Sequence, residues 1–139
     1  MSHPPDGLIP ELAEFMSVVV GPGGEFGHRQ HVHLAFLAAR RYGTAAAPDL
    51  LCGWIKQIAA SHGAARKYHA TMTIAWARLV AYHLAADPEI ADFAMFASRY
   101  PALLDKDLLA SHYTQAALAS AQARTGWLAP DRANFPWLT

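Results

Sequence analysis

With 139 residues the chain has room for one domain with a real core and not for two. Eleven basic side chains balance eleven acidic ones, so the formal net charge of zero gives nucleic acid and anionic membranes no field to follow. Apolar residues make up 53% of the chain, which promises extensive burial, and the single cysteine, Cys52, excludes an internal disulfide and a thiolate zinc site.

Residues 1–9, with His3, Pro4, Pro5 and Gly7, lack periodicity and read as a flexible lead-in. Pro10 stands where a first-turn proline belongs. Leu12, Phe15, Met16 and Val19 follow at helical spacing and predict a short first helix, ended by Gly21-Pro22-Gly23-Gly24. This apolar run contains Glu14, lacks a basic lead-in and is too short to span a bilayer, so the chain reads as cytoplasmic.

A second helix begins between Glu25 and His28 and runs to Tyr42, with Gly43 closing it. Pro48 and Asp49 open a third, closed by Gly63, whose apolar stripe is Leu51, Ile55, Ile58 and His62. His62, in the last turn, complements the helix dipole. From Ala65 to Ala86 the periodicity predicts one helix of about twenty residues. His69, Thr73, Trp76, Val80 and His83 form one of its stripes, and Tyr68, Met72, Ala75, Leu79 and Tyr82 form the next. Two adjacent apolar stripes make it the central post of a bundle.

Asp87-Pro88 stops that helix and caps a fifth, along which Ile90, Phe93, Ala97 and Tyr100 align. Pro101 ends it, and Leu103 to Leu109 predicts a turn followed by a helix to about Tyr113. Thr114 and Ser120 are N-cap residues of short turns. Residues 127–139 form an extended tail whose aromatics, Trp127, Phe135 and Trp137, dock on the rest. No stretch reads as a strand, and 29 alanines allow close helix approach. The expected fold is all-α, a single-domain bundle of about five or six helices.

The chemistry centres on histidine, of which there are eight. His28 and His31 lie about 60° apart on the second helix and one turn apart along it, so both rings reach one point off its surface. His33 lies about 140° from His28 and points elsewhere. His69 is the third imidazole of a candidate metal site, with Zn, Cu, Ni or Fe as the ions that such donors suit. The alternative is that His28 and His31 are half-buried and hydrogen-bonded to backbone or to Tyr and Asp side chains, without an ion. Glu25 and Tyr113 are the residues that would handle protons, and Tyr68, Met72, Thr73 and Trp76 would wall an apolar pocket. His83 lies roughly 21 Å from His69 along a helix and is a core-edge residue, His112 is a packing residue beside Tyr113, and Asp105-Lys106-Asp107 reads as a cap with a solvated neighbour.

Phe26-Gly27-His28-Arg29-Gln30-His31, Lys67-Tyr68-His69-Ala70-Thr71-Met72-Thr73-Ile74-Ala75-Trp76, the run from Leu103 to Leu109 and Trp127-Leu128-Ala129-Pro130-Asp131 together resemble a group of small all-helical bacterial proteins. The resemblance spans about residues 24–136 and brings no named activity. It implies that His28, His31 and His69 are motif positions, with Thr73, Trp76, Asp105 and Lys106 near them.

Three functions follow as expectations: a metal-dependent enzyme acting on a small organic molecule, a non-catalytic small-ligand-binding bundle with histidines as polar anchors, and a homo-oligomer built on alanine-rich faces. A small molecule is the expected partner in the first two; neither nucleic acid nor membrane is.

Overall fold

Among the residues described in the computed structural model, 10–20 and 24–137, seven α-helices and three 3-10 turns build one all-helical domain, with no strand. The expected lead-in, and the Gly21-Pro22-Gly23 stop, lie outside the described residues.

α1 (Pro10–Val20) starts on Pro10, whose missing N–H is no loss in a first turn. It lays Leu12, Met16 and Val19 on α2 (His28–Tyr42). Gly43 ends α2 at a φ of 93°, a conformation that glycine adopts without a Cβ clash, and its N–H closes on the Ala39 carbonyl. α3 (Ala47–Ser61) places Leu51, Trp54 and Ile58 inward, and Gly63, at φ 67°, turns the chain away.

The expected helix from Ala65 to Ala86 is broken at its start. Ala65–Lys67 is a 3-10 turn, Tyr68 and His69 are extended, and α4 is Ala70–Ala86. The break is explained by the cap: His69 Nδ1 accepts the Met72 N–H at 3.1 Å, a role usually filled by Ser or Asp. Past the break α4 is the central post that its two stripes require. Thr71, Ala75, Trp76, Leu79, Val80 and Leu84 are buried over more than half of its circumference, and it packs against α2, α3 and α7.

α5 (Phe93–Arg99) begins later than expected, because Asp92 Oδ1 caps the Met95 N–H at 2.8 Å. Asp87 closes α4 instead and pairs with Arg99. The helix expected after Pro101 is absent: two 3-10 turns, Pro101–Leu104 and Leu108–Ser111, carry that stretch and bury Leu103 and Leu109. α6 (Gln115–Ala119) and α7 (Ala121–Thr125) start at Thr114 and Ser120, whose hydroxyls accept from Ala117 and Ala123 N–H, as their N-cap chemistry predicts.

The aromatic tail docks. Phe135 is buried between His112, Tyr113, Trp127 and Trp137, and the Leu128 carbonyl accepts the Tyr113 hydroxyl at 2.6 Å. No helix among the described residues is long and apolar enough to cross a membrane.

Candidate functional site: a histidine- and tryptophan-walled cavity

The amino end of α2, the inner face of α3 and the amino end of α4 enclose an open cavity of about 410 Å³. All three candidate ligands, His28, His31 and His69, border it, as do Tyr68, Met72, Thr73 and Trp76. Helical spacing puts the first two on one side of α2. The packing of α2 on α4 brings in the rest.

His28 opens α2 and donates from Nε2 to the Leu103 carbonyl at 2.8 Å, since a carbonyl only accepts. The acceptor lone pair of the neutral ring is therefore on Nδ1. Its ring lies 4.3 Å from that of Trp76, centroid to centroid, at a 57° tilt. Burial lowers its pKa, against an opposing pull from the Leu103 carbonyl and from Asp105.

His31, one turn on, is the most perturbed imidazole. Burial, with the neighbouring His28 adding to it, pushes its pKa down to about 4. Its Nε2 is sealed from solvent and has no hydrogen-bond partner among the described residues. His33 turns away as its angle predicts, stacking on Phe93 at 4.2 Å.

His69 is tied down at both nitrogens. Nδ1 accepts from Met72, and Nε2 donates to the Leu118 carbonyl at 2.7 Å. With both nitrogens so engaged, the ring caps α4 and anchors α6. Thr73 donates back to the His69 carbonyl at 2.8 Å, as mid-helix threonines do. Among the described residues no group of three or more His, Cys, Asp or Glu side chains is placed to hold a metal ion.

The two expected proton carriers do not meet the cavity. Tyr113 is buried under Phe135 with its hydroxyl committed to Leu128, and burial, reinforced by Asp131, pushes its pKa up to about 12. Glu25 is exposed, beside Gly27 at the start of α2, and is not part of the wall. Tyr68 is a wall residue, but burial and the adjacent Cys52 push its phenol up to about 12 as well. The Cys52 thiol is raised in turn, chiefly by burial, so it is no ready nucleophile.

Sequence reasoning missed several wall residues. Ile55, Ile58 and His62 come from the apolar stripe of α3, which a helical wheel displays but does not aim. Phe26 and Lys67 flank the motif histidines, and Lys106 arrives on the turn after Pro101, where the resemblance had placed it near them. A second cavity, about 470 Å³, holds His83, Tyr100 and His112. There His83 lies tilted against Tyr100 at 4.6 Å, and His112 donates from Nδ1 to the Ala133 carbonyl at 2.7 Å.

Compared with protein-family models, curated proteins and solved structures, the chain matches none. The class defined by fold and site is an all-helical protein with a histidine- and tryptophan-walled cavity.

Proposed function

We propose that the chain is a small-ligand-binding helical protein, and that its ligand is a compact, largely apolar organic molecule held between α2, α3 and α4. The observation that carries this reading is the convergence of His28, His31, Tyr68, Met72 and Trp76 on one cavity. About 410 Å³ lies within the roughly 300–1,000 Å³ of small-molecule sites, and apolar walls with a few placed polar groups are their usual make-up.

Chemistry at this site has less support. His28 and His31 are neutral at physiological pH, no carboxylate among the described residues borders the cavity to pair with them, and Tyr68 holds its proton. A transition metal, whether Zn, Cu, Ni or Fe, has less support than an organic ligand: no three His, Cys, Asp or Glu side chains among the described residues are placed to share one, and the lone pair of His69 is engaged. We read the protein as cytoplasmic on its single, half-buried cysteine.

Two measurements test this reading together. Ligand-observed NMR with a library of aromatic and aliphatic fragments is expected to give hits on the wild type that Trp76→Ala weakens. Elemental analysis is expected to find metal content unaffected by His69→Ala, while urea unfolding of that variant shows a loss of about 1 kcal/mol from the missing cap. One metal ion per chain, lost in His69→Ala, would restore the three-histidine site and overturn the proposal.

A further inference from the structure

Among the described residues the cavity wall carries charge of one sign only. Lys67 and Lys106 both border it, and no Asp or Glu does. Neither ammonium is paired with a carboxylate of the described residues. Three acids stand near but outside the wall: Glu25, exposed beside Gly27, and Asp105 and Asp107, which flank Lys106 in the chain, the first of them acting on His28.

Backbone dipoles point the same way. α2 and α4, of 15 and 17 residues, both begin at this cavity. α4 has its first turn capped by His69, but the N-cap of α2 is Gly27, which has no side chain to accept from the first-turn N–H groups. Gln30 Oε1 accepts the Gly27 N–H at 2.9 Å and the exposed Glu25 carboxylate stands beside Gly27, so the start of α2 adds the positive end of its dipole to the cavity edge but is not bare. On the same wall His31 Nε2 is sealed and has no partner among the described residues, and Trp76 offers a ring face beside His28.

We propose, building on the ligand-binding reading above, that the occupant is a small aromatic carboxylate. Its ring packs against Trp76 and Met72, and its carboxylate sits at the rim between Lys67 and Lys106, near the start of α2. A neutral molecule leaves both ammonium groups without a carboxylate partner among the described residues. An organic cation meets them as like charges. A bare inorganic anion fills none of the apolar space.

Three probes of one ring and different charge separate these cases: indoleacetate, indoleacetamide and tryptamine. Each is titrated into the full chain by calorimetry, with chemical-shift mapping of the His28 and Trp76 side chains. Indoleacetate is expected to bind roughly tenfold tighter than the amide, the sum of two modest charge contacts. Tryptamine is expected to bind weakest. The acetate-over-amide preference should vanish in the Lys67→Ala/Lys106→Ala double variant and shrink with added salt, whereas amide affinity should hold.

Both lysines are exposed and without a carboxylate partner among the described residues, so the double variant is expected to keep the wild-type circular dichroism and melting temperature. Equal binding of all three probes at the mapped cavity overturns the carboxylate assignment and leaves the ligand-binding reading standing. No shift at His28 or Trp76 with any probe overturns both. A preference for acetate that survives the double variant overturns the placement of the anion at the lysine rim.

Discussion

A histidine whose folded-state pKa sits near 4 against an ordinary 6.5 couples the fold to pH, and the direction follows from which state binds the proton. Between those two values the unfolded chain takes up a proton that folded His31 refuses. Stability is therefore whole above pH 6.5 and declines as the pH falls toward 4. His28, His33 and His83, all lowered chiefly by burial, act in the same direction. Urea unfolding across about pH 7 to 5 is expected to show a decline of at most about 1.4 kcal/mol per pH unit for each such group, and His31→Leu should make it shallower. An unchanged slope in that variant would place the proton uptake elsewhere. The histidines also show how much side-chain identity leaves open. The spacing of His28 and His31 put both on one side of α2, yet that the first gives its Nε2–H to Leu103 depends on a chain segment far away in sequence.

Within the helices, the punctuation by glycine and proline was readable because it acts through a few neighbouring dihedrals. Gly43 and Gly53 give opposite expectations for the same substitution. Gly43 adopts φ 93° in open space, so Gly43→Ala meets no clash with a neighbour but strains its own backbone, and a loss of about 1 kcal/mol is expected. Gly53 lies inside α3 and is exposed, with open space where an alanine methyl would project, so Gly53→Ala should stabilise by about 1 kcal/mol. Thermal melts of the two variants should move in opposite directions, and a shared direction would mean that packing, not backbone freedom, governs both sites. Where caps compete, the reading from sequence slipped. Asp87 and Asp92 are both plausible starts for α5, and the choice fell to Asp92, while Asp87 engages Arg99. Likewise, the periodicity of 65–86 runs straight through the break at Tyr68 and His69, because imidazole is not among the usual capping groups.

Across the whole molecule, the segment after α7 works as a strap. Thr71, in the buried first turn of α4, donates to the Gly126 carbonyl at 2.7 Å and accepts from the Leu128 N–H at 3.0 Å. Asp131 accepts from both the N–H and the hydroxyl of Thr114. Phe135 then fills the aromatic space beside Tyr113. Phe135→Ala is expected to cost about 3–5 kcal/mol in urea unfolding, a loss close to that of a core residue within a helix, because the ring is as fully buried as one. A loss under about 1 kcal/mol would mean that the strap contributes little to the fold.

The amino-acid sequence by itself determined the all-helical class, the start of α1, the extents of α2 and α3, the central place of the fourth helix, the caps at Thr114 and Ser120 and the shared side of His28 and His31. Each of these is set by interactions within a turn or two of chain, or by a periodic apolar pattern that has one way to be buried. Only the tertiary structure decided that His69 is a cap with both nitrogens engaged, that Tyr113 lies under the strap and not at the cavity, and that Lys67 and Lys106 border the same cavity. Those outcomes depend on which carbonyl, ring or ammonium a distant segment brings within a few ångströms, and no local pattern encodes that.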